Sequence, residues 1–436
     1  MPKCTTERME FGRIGRRIIQ ADFTGGDIST DGGLMLLRQV DKRIGLTRAV
    51  AGALEEVRDE TRITHTLRSL IAQRLYALCA GYEDLNDHNR LRGDVLLQTA
   101  VGRTDTLASA PTLCRLENRA TRAQAIALNR VLVEQFIAQH TTAPQELILD
   151  VDASDVPLHG EQELAQFHGY YDHYCYLPLY VFCGQSLLTC LLRPSRIDGA
   201  KHAAAVIKLL VDRLRQVFPA TRFIVRGDSG FCRQTLVRWC ERHGVHYVIG
   251  VARNSRLQDR VKGLEEKLKQ AFVSHQTKQR HIGEFRYAAD SWNRERRIIT
   301  RLEYGTQGHN PRFIVTNLKQ EATVVYDTIY CHRGEAENRI KETQLDLFGT
   351  RASSHGFHAN WLRLMWAALA YTLMERLRAL ALGQTDLARA SASSLRCRLL
   401  KIGAAIMRNT RRVKILLASH HPLRDTFLTA ARALAP

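Results

Sequence analysis

The chain has 436 residues, of which 45% are hydrophobic and 25% are charged, a composition typical of a folded globular protein of more than one domain. Lysine and arginine number 63 against 44 acidic residues, so the formal net charge is +19. A surplus of that size attracts polyanions, and it favours a nucleic-acid partner over an anionic membrane.

The first 143 residues are predicted to be helical. One helix opens at Asp31, and the segment from Thr61 to Tyr82 carries apolar residues at helical spacing. Ser109 caps a further helix that is predicted to continue to about Gln139. We therefore expect a separate helical region over 1–143.

Between residues 144 and 253 the pattern changes to short apolar strands. Strands are predicted at Leu147–Asp152, Tyr174–Phe182, Leu187–Leu192, Phe223–Asp228 and Tyr247–Val251. Helices are predicted between the later strands, over 200–218 and 232–243. A meander of three strands followed by alternating helix and strand is typical of a mixed α/β sheet.

The remainder of the chain divides into three predicted segments. Residues 254–320 begin with many lysines and arginines and then show three strand-like runs, which predicts a β-rich insertion. Residues 321–382 return to helical patterns and are predicted to complete the α/β core. Residues 383–436 form a basic region that is predicted to be helical.

Acidic side chains stand at the ends of two predicted core strands. Asp150 and Asp152 are two residues apart on one strand, so their carboxylates point to the same side. Asp228 ends a later strand and is followed by Ser-Gly, where the chain is free to turn sharply. Ligand sites of α/β sheets gather at such strand ends.

A charged helix is predicted to supply a third acid. Tyr330, Arg333, Glu337 and Lys341 recur at intervals of three or four and share one helix face. Taken alone, this spacing also fits a solvated helix with internal ion pairs. Together with the strand-end acids it favours a metal and phosphate site, because carboxylates bind divalent cations and the basic side chains bind phosphate.

Three carboxylates give this site a specific chemistry. Asp152, Asp228 and Glu337 are predicted to be catalytic and to hold two Mg²⁺ ions roughly 3.5–4 Å apart. In such a pair one metal activates water or a 3′-hydroxyl, and the other stabilises the leaving oxygen of a phosphodiester. Mn²⁺ is expected to substitute for Mg²⁺. The sequence contains no phosphate-binding P-loop, zinc motif or nucleophile elbow.

These motifs resemble those of DDE transposases of bacterial insertion sequences, in the RNase H-like branch with an inserted β-domain. That branch carries a tyrosine, arginine, glutamate and lysine signature, in which Tyr330, Arg333 and Glu337 match the first three positions. The lysine position holds Gln344, and Lys341 lies one turn earlier. Further segments that read like family sequence are Gln73–Asp87, Ala110–Asn118 and His173–Tyr180.

The resemblance implies an RNase H-like mixed sheet with a β-rich insertion, flanked by helical N-terminal and C-terminal regions. It implies that Asp152, Asp228 and Glu337 are the first, second and third acids. Tyr330, Arg333 and Lys341 would contact DNA phosphates. The expected activity is binding of terminal inverted repeats, cleavage of DNA and strand transfer into a target, by a homodimer on double-stranded DNA. The N-terminal region would bind the ends of the element.

Three residue assignments stay open at this stage. Asp150 competes with Asp152 as the first acid, and we expect it to support the site. Trp292, beside several arginines of the insertion, is a candidate for stacking on a DNA base, although packing within a small β-domain is the stronger interpretation. Restoring lysine at Gln344 is expected to leave the activity equal or higher.

Two other functions are compatible with the same residues. One is an RNase H-like nuclease without strand transfer, and the other is a DNA-binding derivative that has lost catalysis, which Gln344 keeps open. The N-terminus lacks an apolar leader, and no segment is long and uncharged enough to cross a bilayer. We therefore expect a bacterial cytoplasmic protein at the nucleoid, with no membrane partner.

Overall fold

The computed structural model describes residues 8–435. These form two compact units, one built from the residues up to Glu117 together with those from Leu373 onward, and one spanning Asn118–Thr372. The finer domain boundaries drawn from the sequence stay a prediction.

The elements are as follows. The strands are β1 (Met9–Ile14), β2 (Arg17–Ala21), β3 (Asp27–Ser29), β4 (Glu146–Ala153), β5 (Val156–Pro157), β6 (Gln166–His168), β7 (His173–Tyr176), β8 (Leu179–Cys183), β9 (Ser186–Leu191), β10 (Arg222–Gly227), β11 (His246–Val251), β12 (Gln279–Tyr287), β13 (Arg296–Gly305), β14 (Gly308–His309), β15 (Arg312–Thr316), β16 (Ala404–Arg408) and β17 (Val413–Leu417). The α-helices are α1 (Leu34–Ile44), α2 (Leu46–Ala53), α3 (Leu67–Ala80), α4 (His88–Leu91), α5 (Val95–Val101), α6 (Ala110–Asn118), α7 (Arg122–Ile137), α8 (Ala203–Val217), α9 (Gln234–Arg242), α10 (Ser255–His275), α11 (Gly334–Lys341), α12 (Phe357–Leu377), α13 (Ala392–Leu395) and α14 (Arg424–Ala433). Short 3₁₀ or π turns occupy Glu60–Arg62, Leu85–Asp87, Ser229–Phe231, Val324–Tyr330, Cys331–Arg333, Glu342–Asp346, Arg378–Leu382 and Arg396–Leu400.

A mixed sheet forms the centre of the second unit, with the strand order β12-β13-β15-β11-β10-β4-β8-β9. Strands β4, β10 and β11 are parallel, and the other pairings along this path are antiparallel. The apolar residues of these strands and of α8 and α9 form its main core. The predicted α/β class, an RNase H-like mixed sheet with an inserted β-rich segment, is confirmed.

The predicted insertion differs from expectation in its first part. The stretch rich in lysine and arginine forms the 21-residue helix α10, on which Leu257 and Val261 are the buried positions and the basic residues face outward. The strands that follow continue the central sheet, because β15 pairs with β11 and β13 pairs with both β15 and β12. A sequence window dominated by charge hid the sparse apolar spacing of this helix.

Two predicted elements are each divided in the structure. The strand expected over Tyr174–Phe182 becomes β7 and β8, which belong to different sheets. Pro178 lies between them, and it lacks the N–H that a continuous ladder requires. The helix expected from Ser109 ends at Asn118, and α7 begins anew with Thr121 accepting from the Gln124 N–H in a capping box.

The first unit joins the two ends of the chain. Its α-helices confirm the helical terminal regions, and β3 adds a strand to the antiparallel pair β16–β17. The Gly32 N–H donates to the Ile402 carbonyl at 2.8 Å, and a side chain at Gly33 would collide with the backbone of Leu399. Of the helices between residues 8 and 435, none combines the length and apolarity that crossing a membrane requires.

Candidate active site

The first strand of the parallel trio presents two acids on the same side. Asp150 is buried, and both of its carboxylate oxygens accept hydrogen bonds from Arg226, at 2.5 and 2.7 Å. Arg226 stands directly opposite Asp150 in the register of β10 and β4, and it also donates to the Ile329 carbonyl. A carboxylate engaged in this way holds elements together, which supports the view that Asp150 is a supporting residue.

Asp152 lies further along β4 and is only partly buried. Its Oδ1 accepts the N–H of Ala153 at 2.9 Å, and its Oδ2 lies 3.3 Å from Nη1 of Arg333. Burial, followed by repulsion from Asp228, raises the pKa of Asp152 to about 7, with Glu337 adding to the repulsion and Arg333 opposing it. The negative charges of all three predicted acids therefore act on one another.

Asp228 follows β10, in the position that the sequence assigned to the second acid. Its Oδ1 accepts the N–H of Gly230 at 2.8 Å, which caps the 3₁₀ turn Ser229–Phe231. Gly250 on β11 makes this approach possible, because a Cβ there would lie 2.8 Å from the Ser229 nitrogen and 2.8 Å from the Tyr330 hydroxyl. The backbone after Asp228 and the Tyr330 ring thus both lie over a glycine.

Glu337 lies on α11 one turn beyond Arg333. Its Oε1 is 2.5 Å from Nη2 of Arg333, so the guanidinium pairs with Asp152 and Glu337 together. The charges of Asp152 and Glu337, with smaller contributions from Tyr330 and Asp228, outweigh the effect of burial and raise the pKa of Arg333. The structure therefore gathers four of the predicted site residues around one guanidinium.

The donor set fits a hard divalent cation. Carboxylate oxygens are the ligands that Mg²⁺ and Mn²⁺ prefer, and the mutual repulsion of these acids is what a cation would relieve. Within residues 8–435, no three His, Cys, Asp or Glu side chains are arranged as a ready-made metal site. Arg333 accounts for this at the predicted site, because it supplies the positive charge between Asp152 and Glu337.

The family's lysine position has a structural role in this chain. Gln344 is 6% exposed, accepts from the Ser154 hydroxyl at 3.1 Å and donates to the Asp155 carbonyl at 2.9 Å. It ties the turn after α11 to the segment that follows Asp152. Lys341, at the end of α11, is exposed and is available to a phosphate.

Trp292 is half-buried between β12 and β13. Its ring meets Tyr287 edge to face at 5.7 Å, and the guanidinium carbon of Arg296 lies 5.1 Å from the ring centre. It also packs against the main core of the sheet. These contacts favour the packing interpretation, and a role in stacking on DNA stays an untested prediction.

Sequence reasoning missed Arg226, Gly250 and the Ser154–Gln344 bridge. Arg226 carried one signal, because it precedes Asp228 by two residues on the same predicted strand. A buried carboxylate at Asp150 needs such a partner. Gly250 carried only the weak signal of a glycine inside a strand, which often marks a close approach of backbone.

A profile of the family described as "Transposase DDE domain group 1" matches residues 11–436, nearly the whole chain. No curated protein matches the sequence. Among solved structures, the cryo-EM structure of the piggyBac transposase synaptic complex with hairpin DNA aligns with a TM-score of 0.41 and 10% identity, over 85% of this chain and 80% of that chain. So distant a likeness says nothing about the activity of this chain, whereas the family match does: the chain belongs to the transposase DDE domain family, group 1.

Proposed function

We propose that this chain is the transposase of a bacterial insertion sequence, which binds terminal inverted repeats, cleaves the DNA at the element's ends and transfers the strand to a target. The single observation that carries the proposal is the convergence of Asp152, Asp228 and Glu337 around Arg333. Cleavage of phosphodiesters needs acids for the metal and a cation for the phosphate, and this arrangement supplies both at one place.

Each side chain has a separate task in this mechanism. Asp152, Asp228 and Glu337 would hold Mg²⁺, in two sites or with Mn²⁺ in its place, and the bound metal would activate the attacking oxygen and stabilise the leaving one. Arg333 already pairs with two carboxylates, so a DNA phosphate entering beside them competes for the same guanidinium. Tyr330 and Lys341 would contact neighbouring phosphates.

The proposed partners follow from charge and family. A net charge of +19 favours double-stranded DNA, with an affinity that falls steeply as salt rises because condensed counterions are released on binding. We propose that a homodimer assembles on the DNA, in the bacterial cytoplasm where the nucleoid lies.

The isosteric variants Asp152→Asn, Asp228→Asn and Glu337→Gln test the catalytic assignment. Each removes one negative charge, so each is expected to lower Mg²⁺-dependent cleavage of DNA carrying the element's ends by about 100-fold or more, while DNA binding is kept. Cleavage is read on gels and binding by fluorescence anisotropy. Glu335→Gln, an exposed acid on the same helix, is the matched control and should cleave normally. A single acid variant that keeps full cleavage removes that residue from the site.

The same preparation separates the alternative functions. Joining of a pre-cut 3′-hydroxyl end to target DNA is expected of a transposase and not of a simple nuclease. A wild-type chain that binds DNA and never nicks it, with either Mg²⁺ or Mn²⁺, would show that the chain is a non-catalytic DNA-binding derivative.

A further inference from the structure

An unusual set of exposed aromatic side chains lies on the hairpin formed by β6, the loop 169–172 and β7, here called the aromatic hairpin. Tyr170 is 85% exposed, Tyr174 is 55% exposed and Phe167 is 41% exposed. Large apolar rings that are clustered and exposed cost hydration free energy, and such clusters usually mark a binding surface.

The rings are held in place by one another. Phe167 and Tyr174 face each other across the two strands and meet edge to face, with centres 5.7 Å apart. Tyr170 meets Tyr171 edge to face at 5.0 Å, and Tyr171 stacks on His173 at 6.0 Å. An edge-to-face contact fixes a ring while leaving the faces of one partner open, so these rings are ready to accept a further planar group.

The base of the hairpin is rigid as well. The Gln166 carbonyl accepts from the Ser195 hydroxyl at 2.8 Å, and its side-chain oxygen accepts from the Arg196 N–H at 2.9 Å. Arg196 itself is exposed, which places a cation next to the rings. Little conformational entropy would therefore be lost when a ligand binds here.

The aromatic hairpin is also tied to the catalytic segment. Strand β5 begins four residues after Asp152 and pairs with β7, Val156 opposite Tyr176. The Asp155 carboxylate lies 2.8 Å from Nε2 of His173, and its backbone carbonyl accepts from Gln344. One short segment thus connects the first acid to the hairpin.

We propose that the aromatic hairpin binds unpaired DNA bases by stacking, next to the phosphodiester that the acids cleave. Rings beside cations are what sequence-tolerant single-strand sites are made of. The inference rests on the proposed function for its biological setting, since DNA opened at a cleavage site exposes such bases. It assigns to Tyr170, Phe167 and Tyr174 the stacking role that the sequence suggested for Trp292.

The test measures DNA binding alone, without divalent metal, so its outcome does not depend on catalysis. The probes are a fluorescein-labelled single-stranded 20-nucleotide oligothymidine and a fluorescein-labelled 20-base-pair duplex of mixed sequence, titrated with the full-length chain. Tyr170→Ala, and separately Phe167→Ala with Tyr174→Ala, are expected to weaken single-strand binding by about 5- to 100-fold, because stacking is worth about 1–3 kcal/mol per base. Duplex binding is expected to change less than about 2-fold.

Two controls make the result specific. Tyr170→Phe keeps the ring and should bind the single strand like wild type. Phe23→Ala removes a ring that is 93% exposed elsewhere in the chain and should also bind like wild type.

Three outcomes would overturn the proposal. One is an unchanged single-strand affinity in the alanine variants. Another is an equal loss for single strand and duplex, which would point to phosphate contacts or to misfolding, as checked by thermal melting. The third is a loss of self-association by sedimentation with oligothymidine binding kept, which would assign the surface to a second copy of the chain. Failure of the acid variants to alter cleavage would instead contradict the proposed function and leave this binding result intact.

Discussion

Arg333 sets the charge balance of the candidate site. It pairs with Asp152 and Glu337 at once, and these contacts keep two mutually repelling carboxylates close together. Replacing the guanidinium with a bound cation would release Arg333 toward a phosphate without any large movement of the backbone. The residue therefore links the binding of metal to the binding of DNA.

Gln344 provides the first prediction at the residue scale. The sequence alone favoured lysine at this position, but the side chain is buried and bridges Ser154 and Asp155. Gln344→Lys would bury an ammonium and remove the acceptor for the Ser154 hydroxyl, and Gln344→Leu would remove both hydrogen bonds. We expect each variant to lower the free energy of unfolding by about 1–3 kcal/mol in urea titrations.

The activity should change with the stability in these variants, because the displaced segment carries Asp152. Gln270→Lys, at an exposed position of α10, is the matched control and should leave stability within about 0.5 kcal/mol of wild type. A Gln344→Lys chain as stable as wild type and more active would restore the interpretation drawn from the sequence.

At the scale of elements, the site depends on three parallel strands that end together. β4 delivers Asp152, β10 delivers Asp228, and β11 delivers Gly250, which lets the Asp228 turn and the Tyr330 ring approach. The strand-end acids were predictable, because alternation and the order of the elements place them at one edge of a sheet. The close approach over Gly250 was not, because it depends on helix 324–330 crossing the sheet.

Gly250→Ala tests that approach. The added methyl group would lie 2.8 Å from the Ser229 nitrogen and from the Tyr330 hydroxyl, so one of them must move. We expect a loss of about 1–3 kcal/mol in unfolding free energy, together with reduced DNA cleavage. Gly263→Ala on α10 meets nothing within 4 Å and should be neutral or stabilising by up to about 1 kcal/mol. Equal stability of the two variants would show that Gly250 is not a packing constraint.

A second element-scale prediction concerns Glu241, which joins α9 to β11 and β13. Burial of its carboxylate opposes ionisation, but hydrogen bonds from Arg296, Arg294 and Tyr247 outweigh burial and lower its pKa to about 2. Since the folded pKa lies below the usual value, the stabilisation is complete above about pH 4.5 and is lost as the pH falls toward 2.

Glu241→Gln should therefore be less stable than wild type at pH 7, by on the order of 2 kcal/mol, and the difference should shrink between pH 4.5 and 2. Chemical unfolding followed by circular dichroism at each pH measures it. Glu295→Gln, an exposed neighbour, should show no such dependence. A difference that stays constant down to pH 2 would contradict the lowered pKa.

At the scale of the whole molecule, the sequence was informative wherever the signal was local. It predicted the strands that carry Asp152 and Asp228 and the helical turn that joins Arg333 to Glu337. It gave no sign that β3 pairs with β16, because residues so far apart along the chain leave no local pattern. Part of the basic C-terminal region proved structural for the same reason: Arg396 donates to the Cys79 carbonyl, and Lys401 pairs with Asp31.

The central claim is that Asp152, Asp228 and Glu337 share one divalent-cation site. The most direct test is iron-directed cleavage, in which Fe²⁺ occupies the site of Mg²⁺ and, with ascorbate and peroxide, cuts the nearby backbone. We predict cuts near residues 152, 228 and 337 of the full-length chain, suppressed by excess Mg²⁺ and lost in Asp228→Asn but not in Glu335→Gln. Cuts confined to one of these segments, or unaffected by Asp228→Asn, would contradict the claim.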